Sequence, residues 1–268
     1  MTTREVFRAK ARQLGVSDAS IDRILHHLRP AYDLYDHPDN GGTEAGRLGG
    51  DPELPLDVPW DGARVFVASI DLAALPPHSL DLGLPRDGRL LLFCNGGYEC
   101  VTTVGPDEFS HALHVPPGTE TVRRDWSTTE YYDENLKIEP RTLYATATWD
   151  VALDEFGGLP WDVESDTLSD PALAQAIAEY RSLAGHLGPL PFERDGGSIK
   201  LGGVAYPEQD PVEEEVSADE GEAATWTPLA DANYSYVFDR GEGCIYWVIP
   251  RADLSTSRFD RVAEVFQC

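Results

Sequence analysis

Lysine is almost missing from this sequence: only Lys10, Lys137 and Lys200 occur in 268 residues. Lysine and arginine together supply 21 cations against 47 carboxylates, a formal net charge of -26. A field of that sign repels phosphate backbones, which excludes nucleic acid as a natural partner and suits a basic protein or a cationic ligand. Solubility or an acidic source proteome is the plainer reason for it. Long apolar runs are missing too, and nothing approaches the ~20 residues of a membrane-spanning helix. The opening "MTTREVFRAKARQLG" lacks the apolar centre of an export signal. Cysteine is scarce: Cys94, Cys100, Cys244 and Cys268 form neither a C-x-x-C pair nor a zinc spacing. These absences predict reduced thiols in a soluble cytoplasmic protein.

Catalytic signatures are absent as well. There is no G-x-S-x-G, no P-loop, no H-E-x-x-H and no G-x-G-x-x-G. His26 and His27 adjoin on a predicted helix and so point to different faces. His111 and His114 make a pair with too few ligands for a metal. Asp33, Asp36 and Asp39 recur every third residue, without the alternate oxygen ligands and closing Glu of a calcium loop. No metal and no cofactor is expected.

What the chain does have is turn chemistry, with 24 glycines and 20 prolines spread over many short segments, and 41% hydrophobic residues. That favours a loop-rich, β-containing fold. Gly15 closes one helical stretch, and Ser17 or Asp18 caps a second, "ASIDRILHHLRPAY", with Ile21, Ile24, Leu25 and Leu28 at helical spacing. The pair predicts an appended N-terminal helical hairpin. "RVFVASIDL", "GRLLLFCN", "TLYATATWDV" and "CIYWVIP" read as strands. Residues 170–187 read as a helix, capped by Asp170 with Pro171 in its first turn. The acidic run 213–222 reads as a mobile loop that folding does not need.

Two stretches follow one order. Arg47-Leu48-Gly49-Gly50 and Lys200-Leu201-Gly202-Gly203 each lead to a proline-rich bend, a strand, a turn and a buried strand. Two related β-rich halves follow, with pseudo-repeats at about 47–94 and 200–249. Exposed amides in a diglycine loop bind anions, with Arg47 or Lys200 as the assisting cation. The favoured alternative is a tight turn, its cation paired to a nearby carboxylate. Asp71 in "SIDL" is the one carboxylate placed for general acid–base work, against a turn-capping role that is the commoner use. Trp60, Trp126, Tyr131 and Tyr132, near Arg123 and Arg124, have the composition of an interface hot spot. In β proteins such aromatics more often fill the core.

"RLGGDPELPLDVPW", "ASIDLAALP", "LPRDGRLLLF", the second "KLGG" with its "YPEQDP", and the ending "ADLSTSRFDRVAEVFQC" together resemble the YwqG-like family of bacterial proteins over about 45–268. The resemblance implies a domain of unknown function with an α+β fold, and some members resemble components of toxin and immunity gene neighbourhoods. The chain departs at Ala68-Ser69, where the family shows Gln before Ile-Asp-Leu. The expected architecture is therefore α+β and β-dominated, with residues 1–44 as hairpin and linker and 45–268 as the YwqG-like domain carrying an inserted helix. The expected function is a non-enzymatic interaction, immunity or regulatory module that binds a basic protein through Arg47, Lys200, Trp60, Trp126, Tyr131 and Tyr132. The competing reading is a hydrolase or transferase in the crevice between the halves, using Asp71 with Arg47 or Lys200.

Overall fold

The computed structural model describes residues 8–9, 12–13, 15, 17–38, 42–77, 83–96, 101–102, 109–151, 198–217, 220–223 and 225–268. The helix expected at 170–187 lies outside them. The strands are β1 (Leu28–Tyr35), β2 (Thr43–Leu48), β3 (Glu53–Pro55), β4 (Val65–Asp71), β5 (Arg89–Cys94), β6 (Val101–Thr102) and β7 (Ala112–Val115). They continue as β8 (Thr121–Arg123), β9 (Arg141–Val151), β10 (Ser198–Gly202), β11 (Trp226–Asn233), β12 (Cys244–Pro250) and β13 (Ala263–Gln267). Short helices punctuate them: α1 (Asp18–His27), α2 (Val212–Glu215), α3 (Glu220–Ala223), α4 (Tyr234–Phe238) and α5 (Arg251–Ser255).

Among the described residues, eleven strands form one sheet in the order β6-β13-β12-β11-β10-β1-β9-β2-β4-β5-β7, and β3 pairs with β8 in a separate ribbon. Every pairing is antiparallel. This β-dominated architecture overturns the expected α+β fold with an N-terminal helical hairpin. The second of the two expected helices stops at His27, and the chain passes straight into β1. Pro30 explains the stop: it has no amide hydrogen to continue a helix, and it drives Arg29 to extended geometry. β1 then pairs with β9 on one side and β10 on the other. A domain boundary at 44/45 would separate a central strand from both its neighbours.

Setting β6 aside, exchanging β1 with β9, β2 with β10, β4 with β11, β5 with β12 and β7 with β13 turns the strand order into its own reverse. Each diglycine strand pairs with the leading strand of the opposite half: β2 with β9, and β10 with β1. The irregularities correspond as well. The β4–β5 register shifts between Phe66 and Ala68, and the β11–β12 register shifts between Pro228 and Ala230.

Strand alternation divides the core. Leu90, Leu92 and Cys94 on β5, and Ile245, Trp247 and Ile249 on β12, belong to the large cluster on one face. The intervening Leu91 and Phe93 pack on the other face with Leu54, Phe66 and Val115. Tyr246 and Val248 pack there with Ala205, Val212 and Val265. Each half thus has a satellite core under its own cap: residues 51–62 with the β3–β8 ribbon in the first, residues 204–217 and 220–223 in the second. The acidic run expected to hang free belongs to the second cap. Val212 is fully buried, Ala223 is buried, and burial raises the Glu213 carboxyl above its ordinary range.

Candidate functional site

All four residues of the diglycine turns have positive φ: 64° and 74° at Gly49 and Gly50, 76° and 77° at Gly202 and Gly203. A Cβ on Gly49 would lie 2.5 Å from the Ile138 carbonyl oxygen, so only glycine fits the approaching backbone. The Gly49 amide donates to the Val67 carbonyl at 2.7 Å, that of Gly50 to Ile138 at 2.9 Å, and that of Gly203 to Pro30 at 2.9 Å. These amides serve the fold rather than a bound anion.

The cations before the turns have equivalent ladder positions and different surroundings. Arg47 lies opposite Ser69 and Thr142. Its guanidinium sits 5.8 Å from the centre of the Phe66 ring and donates to the Asp51 carbonyl at 2.8 Å. Lys200 lies opposite Asp33 and Asp231 and is fully buried. Its ammonium is 2.9 Å from an Asp231 carboxylate oxygen, donates to the Val204 carbonyl and lies 4.8 Å from the Tyr206 ring centre. A buried ammonium needs such a shell. Beside it, burial pushes the Cys244 thiol up to about 11 and, with the charge on Cys244, holds the Tyr246 phenol far above its usual range. Neither group is a nucleophile at neutral pH.

A second buried polar group lies on the main-core face. His111 Nδ1 is 3.1 Å from the Val262 carbonyl, and Nε2 is 3.4 Å from Glu264 Oε2. Burial first, and then the charge on Arg64, lower the imidazole to about 3, so it is neutral near pH 7. Glu264 is too far for a strong bond to the ring and accepts from the Asn95 amide at 2.7 Å. Burial also raises the Cys94 thiol well above its ordinary value. Cysteine, histidine and glutamate thus occur in one region, but the thiol stays protonated and the base stays weak.

The open site is a cleft of about 410 Å³ beside the first diglycine. Its walls carry Asp51, Arg123, Trp126, Tyr132, Lys137 and Glu139. Asp51 organises it, accepting from Arg123 at 2.7 Å and from the Trp126 amide at 3.3 Å. Glu139 at 2.6 Å raises the Lys137 ammonium's pKa. Two residues singled out in the sequence, Trp126 and Tyr132, meet here with ring centres 5.2 Å apart. Arg47 reaches the same turn. Trp126 is itself only 7% exposed, whereas Tyr131 and Tyr132 are exposed. Trp60 is half-buried against the satellite core and donates its indole N–H to the Arg64 carbonyl at 3.1 Å. Lys200 lies three strands from Arg47, roughly 14 Å across the sheet at the usual spacing, and is also displaced along it, level with Thr146 of β9 where Arg47 is level with Thr142. Asp71 is exposed and caps the turn after β4, accepting from the Ala73 amide at 3.0 Å. Asp51 was not singled out in the sequence, because nothing near it signals a partner 72 residues away.

No helix among the described residues is long and apolar enough to cross a membrane, and no group of three or more His, Cys, Asp or Glu among them could hold a metal ion. A search of curated proteins found no match to the chain. A family profile described as a domain of unknown function, DUF1963, matches residues 46–268, from the end of β2's approach to its diglycine through the final residue. The chain, with both diglycine turns and both satellite cores inside that span, belongs to the DUF1963 family.

Proposed function

We propose that this protein is a non-enzymatic interaction module of the immunity or regulatory kind, a YwqG-like member of its family that acts in the cytoplasm. Its docking face is the first cap, and its partner is a basic protein. One observation carries the reading: the exposed large hydrophobics among the described residues, Leu56, Val122, Tyr131 and Tyr132, all lie on that cap or on the loop that follows β8. The cap is rigid. Arg124 donates its amide to the Pro52 carbonyl at 2.9 Å, and Trp126 donates its indole to the Gly62 carbonyl at 2.9 Å. A preorganised apolar patch binds without paying for its own ordering.

Charge selects the occupant. Exposed carboxylates accompany each apolar residue in sequence: Asp57 beside Leu56, Glu120 near Val122, Glu130 beside Tyr131 and Glu134 near Tyr132. Of the neighbouring cations, exposed Arg123 is paired with Asp51, and Arg124 donates to the Leu56 carbonyl. The patch therefore presents apolar contact inside an acidic rim, on a chain of net charge -26. Asp71, the acid–base candidate of the competing enzyme reading, is used as a cap, and that reading gains no support from it.

The test is affinity capture from the native cells with the wild type and the triple variant Leu56→Ser, Tyr131→Ser, Tyr132→Ser, both shown folded by circular dichroism. The expected result is a basic protein held by the wild type, lost from the variant, and associating more slowly as salt rises above about 0.1 M. Equal retention by both proteins, or a neutral or acidic partner, overturns the reading.

A further inference from the structure

The cleft beside the first diglycine is walled wholly by residues drawn from 50–66 and 123–140. Its charges do not cancel. Asp51 is matched by Arg123 at 2.7 Å and Glu139 by Lys137 at 2.6 Å, whereas the third carboxylate on the wall, Asp125, pairs with no cation among the described residues. Its Oδ1 accepts from the Ser127 amide at 3.0 Å and from the Ser127 hydroxyl at 2.6 Å, which fixes the side chain without neutralising it. One residue on, Trp126 meets Tyr132 in a T-shaped contact with ring centres 5.2 Å apart, and Tyr132 remains 37% exposed. An unmatched carboxylate and an open aromatic ring thus share one cleft.

Elsewhere the chain fills such a pair with an arginine of its own. Arg141 lies 4.9 Å from the centre of the Tyr236 ring and holds an Asp36 carboxylate oxygen at 2.7 Å. A planar guanidinium suits both contacts at once, its face stacked on the ring and its N–H edge on the carboxylate. We propose that the cleft receives an arginine side chain of the basic partner, its guanidinium on Tyr132 and Asp125. On the premise of the docking face proposed above, arginine is the anchor that this face selects. Tyr132 belongs to both, since it walls the cleft and is one of the exposed hydrophobics of that face. A space of about 410 Å³ admits the side chain, and Arg123 and Lys137, each held by its own carboxylate, leave the local balance negative. A lysine ammonium, compact and strongly hydrated, gains less from a ring and a carboxylate edge.

The probe is acetylarginine amide, titrated against the full chain and followed by the NMR signal of the Trp126 indole N–H, which Trp126→Phe identifies by its loss. The citrulline analogue has the same shape without the charge. Arginine is expected to saturate the shift, with the citrulline analogue at least about tenfold weaker, as loss of a charge-assisted bond implies, and the lysine analogue between them. Asp125→Asn keeps an oxygen for the Ser127 amide and removes only the charge, so it should weaken arginine several-fold and leave citrulline unchanged. Asp71→Asn makes the same change at a turn cap outside the cleft and should alter neither. Thermal midpoints confirm that each variant is folded. Tyr132→Leu, at an exposed position, is the second variant should Asp125→Asn unfold, and it should reduce the advantage of arginine over lysine. No saturable shift, equal binding of citrulline, or equal losses from Asp71→Asn and Asp125→Asn overturns the proposal. In the capture experiment, a basic protein that Asp125→Asn holds undiminished overturns the arginine anchor and leaves the docking face standing. Specific arginine binding by a chain that captures no basic protein supports the subsite and overturns the docking face.

Discussion

The Trp126 indole donates to the Gly62 carbonyl at 2.9 Å, joining the loop that follows β8 to the loop that precedes β4. Gly62 has no alternative: at φ 92°, a Cβ there would lie 2.4 Å from the Thr129 hydroxyl oxygen. Trp126→Phe keeps most of the packing and abandons a buried carbonyl, so stability should fall by about 1–2 kcal/mol. Trp126→Ala also opens a cavity, and about 3–5 kcal/mol should be lost. Urea denaturation of the three proteins measures both steps. Equal losses for Phe and Ala would show that the hydrogen bond, not the ring volume, holds the loops.

The neutral imidazole of His111 makes acid stability a second measurement. Its folded pKa of about 3 lies below the ordinary 6.5, so the unfolded chain takes up the proton first as pH falls. The contribution is complete above about pH 6.5 and fades through the window down to about 3, amounting to several kcal/mol. His111→Asn does not titrate there. Its stability should decline less steeply than the wild type's between pH 6.5 and 4, measured by denaturant midpoints. Parallel curves for the two proteins would rule out the buried imidazole as the source of the slope.

Val212 tests the second cap. It is fully buried in the satellite core with Tyr246 and Val265, at the head of the acidic run. The cap is further tied down by Gln267, whose carbonyl oxygen accepts from the Glu208 amide at 2.8 Å and whose amide donates to the Asp210 carbonyl at 2.7 Å. Val212→Asp places a charge in that core and should lower the thermal midpoint by several degrees. An unchanged midpoint would return the segment to the status of a dispensable loop.

The strands with continuous apolar runs, "RLLLFC" and "CIYWVIP", were legible because burial on both faces leaves a local signature. The turns at Gly49 and Gly202 were legible for the same kind of reason. β1 was not, since Ile21, Leu25 and Leu28 carry a helical spacing past the point where the chain extends, and only sheet partners far along the chain settle its state. Arg47 and Lys200 look alike in sequence. Their difference comes from Ser69 and Thr142 in one ladder and Asp231 and Asp33 in the other.

The place of β1 reaches beyond this fold. Strands β9 and β10 both run opposite to β1, and therefore parallel to one another. A chain trimmed to the family segment 46–268 would lose the ribbon between them and face two bare edges of like direction. Zipping those edges together would force a parallel seam into an antiparallel sheet and set Lys200 against Thr146 in place of Asp33. Such a trimmed molecule has one natural remedy, a strand borrowed from elsewhere. A synthetic peptide spanning 28–35, added in trans, should therefore act as its missing keystone.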